Sequence, residues 1–270
     1  MGKKVKSNAL VPAEENGGLV KWDEELAKLT AQAAEAVAGI GGGSFLSLRG
    51  GQLSYGGQVM PGNTCAAVIL DFVNENLFYG ARFDPDQRLS PKCYAFGRDP
   101  QRMTPYPDVE EPVHDSCREC PNNAWGTSDT GRGKACKNTM RLALIPAGTY
   151  RQATNDFDLF DKAEQYQGAD LAFLKIPVTS VKAFGTYVKN LAGVMKTHPV
   201  GVVTRIKVVP DGKTQFRVEF EPIAKLPAAM IPVVLARHKE ATAAIEFPYQ
   251  AVAEQPAPAA AAKPKGRRKF

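Results

Sequence analysis

The chain has 270 residues, 44% of them hydrophobic, which is enough for a substantial core and one or two domains. No run approaches the roughly 20 apolar residues of a membrane-spanning helix, and no apolar stretch follows the basic start, so no membrane association and a reducing, cytoplasmic setting are expected. The net charge of +6 is concentrated at the ends: residues 1–7 carry +3 and residues 257–270 carry +5, leaving the rest at −2. A globally positive, nucleic-acid-coating body is thereby excluded; any such binding must use local patches or tails.

Residues 1–21 lack periodicity and read as a flexible arm, followed by a core domain over 22–249. A helix is predicted over 23–38, with Asp23 as cap and Leu26, Leu29, Ala33 and Val37 at helical spacing. From Ser44 the period changes to two. Arg49 and Tyr55 lie in glycine-interrupted strands, and Cys65–Val73 is the clearest buried strand, with Cys65 as a core thiol. Asn74-Glu75-Asn76 reads as a turn and residues 77–83 as the returning strand. Phe78 and Phe83 are expected in the core.

Four cysteines then fall within 44 residues: Cys93, the pair Cys117-Arg-Glu-Cys120, and Cys136. Two thiols two residues apart reach one tetrahedral ion, and two more complete a four-thiolate set. The intervening segment is rich in Pro, Gly, Asp and Asn and could not order itself by burial. One structural Zn²⁺ is therefore expected, in a module spanning about 90–141. His114 is an alternative ligand to Cys93. A disulfide framework fits poorly with an odd cysteine count, and a redox pair lacks the strand and helix that would frame it.

Further strands are predicted over 141–146, 171–176, 200–209 and 214–222, the last two joined by a turn at Pro210–Lys213. Residues 154–167 read as a loop. Helices are predicted over 178–196, with the stripe Val181, Phe184, Val188, Leu191 and Met195, and over 228–244, with Pro232 in the first turn. Residues 250–270 read as an Ala/Pro linker ending in a basic tail. About seven short strands with inserted helices give an α+β class: a small β-barrel carrying the cysteine module and flanking helices.

Arg132, Lys134, Lys137 and Arg141 lie beside the cysteines, with Trp125 and Tyr94 nearby. Cations next to aromatic faces suit single-stranded nucleic acid, where bases stack and phosphates are neutralised. Arg49 and Tyr55 are a further candidate pair. Lys182, Lys189 and Lys196 line one edge of the 178–196 helix and read as a solvated flank. No nucleophile, phosphate-loop or deaminase motif is present, so no enzymatic activity is expected. Two alternatives stay open: a metal-dependent nuclease using Asp71, Glu75, Asp84 or Asp86, and a zinc-stabilised protein-interaction module.

On Cys93, Cys117–Gly126 and the Gly-Arg-Gly-Lys-Ala-Cys136-Lys-Asn138 stretch, the chain resembles phage single-stranded DNA-binding proteins of replication and recombination. The resemblance implies an OB-fold with an inserted zinc module over about 44–222. It also implies a DNA cleft between the two, near Trp125, Arg132, Lys134 and Lys137, and a host-cytoplasm setting with replication or recombination proteins as partners. The family commonly ends in an acidic tail, whereas this chain ends in a basic one.

Overall fold

The computed structural model describes residues 45–80 and 89–249, together with residues 25, 26, 28, 29 and 32, which are helical. The chain divides into two compact units, Met1–Gly43 and Ser44–Phe270. The predicted N-terminal arm, most of the 23–38 helix, Phe83, Asp84, Asp86 and the basic tail lie outside the described residues.

Within the second unit the structure is mixed α+β, built on one strongly curled, half-barrel sheet. Its strands are β1 (Phe45–Ser47), β2 (Ser54–Tyr55), β3 (Gln58–Val59), β4 (Thr64–Phe78), β5 (Cys93–Gly97), β6 (Lys137–Pro146), β9 (Ala172–Ile176), β10 (Val202–Asp211) and β11 (Gln215–Lys225). The order is β11-β10-β4-β6-β9-β1-β2-β3, with β5 also paired to β4; only β1–β9 is parallel. A separate hairpin, β7 (Gly148–Arg151) with β8 (Asp156–Leu159), packs alongside. The described residues therefore hold eleven strands where about seven were expected.

Strand β4 is the axis of the fold. Its 15 residues pair with β6 along one edge; along the other they pair first with β10 and then with β5. Nearly every side chain is buried because both faces are covered, which is why the run reads as continuously apolar instead of alternating. Cys65, Ala67 and Ile69 face an inner core with Leu142, Leu144, Leu174 and Ile206. Ala66, Val68 and Leu70 face an outer core with Phe96, Ala143 and Ile145. A bulge between Ile69 and Asp71 then moves the odd-numbered residues to the outer face, where Val73 and Leu77 pack.

Two helices cap these cores. α2 (Val178–Asn190) seats Phe184 and Tyr187 on the inner core, helped by Val181 and Val188. It continues as a wider turn through Leu191–Met195 and ends at Lys196, which adopts a left-handed φ of 50°. α3 (Ile231–Ala244) lays Val234 and Ala241 on the outer core, with proline in its first turn as expected. Each fully buried Leu, Ile or Phe on these faces contributes about 1.5–3 kcal/mol. The segment expected as a loop over 154–167 instead holds β8 and a short helix α1 (Ala163–Gln167). Tyr166 of α1 is buried and donates to Phe160 O at 3.0 Å.

The turn expected at 74–76 is absent. β4 runs on to Phe78, and its partner is β5, not a strand over 77–83. The three polar residues are internal to the sheet, each satisfied by a different neighbour. Asn74 donates to Gly97 O and Arg98 O (both 3.1 Å), Glu75 pairs with Arg141, and Asn76 accepts from the Asn138 amide at 2.6 Å. A buried polar residue bonded across strands leaves the same mark in composition as a turn.

A candidate functional site at the cysteine cluster

The end of β4 assembles the cluster. Phe78 pairs with Cys93 on one side and Leu77 with Lys137, next to Cys136, on the other. Cys117 is tied in by its backbone N–H to Met103 O (3.0 Å), and Ala95, Met103 and Cys117 form a small apolar group beneath it. Cys120 precedes a short turn of 3₁₀ helix over Pro121–Asn123. All four cysteines line one cavity of about 20 Å³, room for a single small occupant, together with Asn76, Phe78, Tyr94 and His114.

Burial pushes the Cys136 thiol up to about 12, and the nearby Cys117, Cys120 and Cys93 push the same way, against a donated Leu77 N–H. Burial also raises the Cys117 thiol, opposed by a hydrogen bond from the Asn76 amide. These thiols are therefore close enough to sense one another. Among the described residues, no group of three or more His, Cys, Asp or Glu side chains is drawn into metal-holding geometry. The donors a soft divalent ion would select here are the four sulfurs. His114 lines the same cavity, but its Nδ1 accepts the Ser116 N–H at 3.0 Å. Cys65 stands apart in the inner core, its thiol raised to about 12 by burial.

Between Cys120 and Cys136 the chain forms a tight hairpin. Cys136 N–H donates to Asn122 O and Gly126 N–H to Gly133 O, both at 2.8 Å. Thr127 Oγ1 donates to Ala124 O at 2.8 Å and accepts Ala135 N–H at 3.0 Å. Gly126 and Gly133 hold φ of 91° and 123°, a backbone that only glycine adopts readily. Trp125 stands on this hairpin 81% exposed, the most solvent-open aromatic among the described residues. Arg132 on this hairpin and Lys137 at the start of β6 are exposed, while Lys134 donates to Asn123 Oδ1 at 3.1 Å. None of these three cations enters a salt bridge among the described residues.

Two predicted contact residues are corrected. Tyr94 is 6% exposed: Cys93 and Ala95 face the cluster, so alternation turns Tyr94 and Phe96 onto the outer core. There Tyr94 stacks on Tyr106 (5.3 Å, 22°) and meets Tyr249 edge-on. Arg141 is wholly buried, bonded to Glu75 and to the carbonyls of Ile245 (2.9 Å) and Phe247 (3.1 Å), so it meets no solvent-borne strand. Arg49 is exposed and Tyr55 is 38% exposed, but they sit at the β1–β2 end of the sheet and line no part of the cysteine cavity.

Of the acids considered for a nuclease, Asp71 and Glu75 are among the described residues, and both are paired internally. Asp71 receives a two-point contact from Arg98 (2.7 and 2.6 Å) and a bond from Thr242 (2.8 Å). Burial alone would raise its carboxyl; these donors outweigh burial and hold it below the usual carboxylate range. Glu75 is enclosed by Arg141, Thr139 and Tyr249. Both are spent on internal pairing. Asn76 escaped sequence reasoning because, with Asn74 and Glu75 beside it, it was absorbed into the supposed turn.

No family model, curated protein or solved structure matches the chain. No helix among the described residues is long and apolar enough to cross a membrane.

Proposed function

We propose that the protein binds single-stranded DNA with little sequence preference, as phage replication and recombination require, through a zinc-stapled hairpin set on an OB-like half-barrel. The observation that carries this reading is Trp125, 81% exposed on a hairpin anchored at Cys120 and Cys136, with Arg132 and Lys134 on the same hairpin and Lys137 just after it. A base stacks on the indole for about 1–3 kcal/mol, and the cations neutralise phosphates. The zinc reading is supported by the donor chemistry: four cysteines lining a cavity with room for one ion. A structural zinc supplies on the order of 10–16 kcal/mol of apparent binding energy to a segment whose own apolar core has three members. Four thiols in this state suit a reducing cytoplasm.

Fluorescence titration of the full chain with oligo-dT at several salt concentrations tests the reading. Quenching of Trp125 with affinity falling steeply in salt is expected, and it is lost in Trp125→Ala. Absence of binding at low salt removes it. One observation favours a second reading, a zinc-stabilised protein-interaction module. Asp108, Glu110, Glu111, Asp115 and Glu119 are all exposed on the approach to Cys120 and would repel phosphate there.

A further inference from the structure

Two cations meet one carboxylate on the outer face of the sheet. Lys175 of β9 lies directly opposite Arg141 of β6 and, two residues from Phe173, shares the face that Phe173 presents to the outer core. The carboxylate is Glu75. Its Oε1 accepts Arg141 Nε at 3.1 Å and the Tyr249 hydroxyl at 2.7 Å, and its Oε2 accepts Thr139 Oγ1 at 3.1 Å. Arg141 thus holds the acid, and Lys175 enters no salt bridge among the described residues. Lys175 Nζ instead donates to the Tyr249 hydroxyl oxygen at 3.4 Å, and the Tyr249 ring centroid lies 5.5 Å from it. An ammonium brings three N–H groups and needs its hydration; an amine donating one N–H fits this place better. Burial lowers the Lys175 pKa from the ordinary 10.5; Glu75 opposes that, and Arg141 adds to the lowering. The side chain is only partly buried, so a small molecule still reaches it.

We propose that Lys175 is a nucleophilic amine, held ready at neutral pH, and that this face of the sheet takes a small aldehyde as an imine. A lysine beside a second cation is activated in this way. The Nζ lone pair attacks the carbonyl carbon to give a carbinolamine. The nitrogen then gives up its remaining proton, the former carbonyl oxygen leaves as water, and the C=N bond closes. One amine and one aldehyde yield one imine and one water, with no change of oxidation state. The site is separate from the cysteine cluster and does not depend on a metal or on DNA.

The test treats the full chain with acetaldehyde and sodium cyanoborohydride, whose hydride reduces each imine to a stable ethylamine, and follows every lysine by peptide mass mapping. At pH 7 Lys175 is expected to label on the order of tenfold faster than the exposed Lys189, Lys196 and Lys239. At about pH 11 the exposed amines are free as well, and that advantage is expected to vanish. Lys175→Arg keeps a cation opposite Arg141 and is expected to abolish the fast-labelling site while the other lysines react as before. Labelling of Lys175 no faster than the three exposed lysines at pH 7 overturns the proposal. An advantage unchanged at pH 11, or a fast site surviving in Lys175→Arg, overturns it as well.

Discussion

At the scale of single residues, Glu75 and Arg141 show how the chain handles charge in its interior. Both side chains are at most 1% exposed, and the guanidinium is further enclosed by Phe247 (4.0 Å) and Phe96 (4.3 Å). Removing one partner leaves the other charged and dry. Glu75→Gln is therefore expected to cost about 3–5 kcal/mol in urea denaturation, while Glu75→Leu with Arg141→Met recovers a large part of it. A double variant as unstable as the single one would show that the pair itself stabilises the fold. Neither role was legible in the sequence: Glu75 looked like a turn residue and Arg141 like one more surface cation, because composition does not show which strand lies opposite. His198 is an exposed ring whose charge is nonetheless set by its neighbours. Its ring stacks on Phe72 (6.2 Å, 15°), with His238 at 6.4 Å and the Arg98-paired Asp71 near. Burial, then His238, lowers its pKa from the ordinary 6.5, against the pull of Asp71. A depressed histidine means that the unfolded chain binds the proton first. Its contribution is then fully present above about pH 6.5 and is lost as pH falls through the lower folded value. His198→Asn, which can still accept the Val200 N–H, is expected to flatten the fall in melting temperature below pH 6.5; an unchanged slope would place the sensitivity elsewhere.

At the scale of elements, what the sequence revealed were those governed by one period. The α2 stripe faces the inner core at its helical spacing, and the apolar run from Cys65 lies in the central strand. What it hid were joints made by one side chain between distant strands. Asn63 is such a joint. Its amide donates to Gly51 O (2.8 Å) and Val208 O (3.0 Å), accepts the Leu53 N–H, and so ties the β1–β2 end of the sheet to β10. It does this from a left-handed φ of 56°. Asn63→Ala orphans these groups and keeps the unfavourable φ, for an expected loss of about 2–4 kcal/mol. Asn63→Gly loses the same bonds but accepts the backbone, so it should be about 1 kcal/mol less damaging. Thermal melts of the two variants separate the parts; equal losses would mean that the backbone conformation contributes nothing.

At the scale of the whole molecule, stability is unevenly shared. The half-barrel has two large cores, one on each face of β4, each closed by a helix. The segment between β5 and β6 packs Tyr106 and Val109 on the outer core, but its cysteine-bearing part has only the small nucleus of Ala95, Met103 and Cys117, and short hydrogen bonds supply the rest of its order. Local unfolding free energy follows buried contact, so this segment should open well before the barrel does. If a metal supplies the difference, removing it should release the segment without releasing the sheet. Strong chelation followed by brief trypsin treatment is therefore expected to cut at Arg118, Arg132 and Lys134. Arg141, Lys175 and Arg205, within the sheet, should stay intact, and far-UV circular dichroism should change little. Excess Zn²⁺ should restore resistance. Cleavage of both regions together would mean that the cysteine segment and the barrel fold as one unit. Resistance of both after chelation would show that the hydrogen bonds of the hairpin suffice alone, and that Trp125 owes its outward position to them and not to an ion.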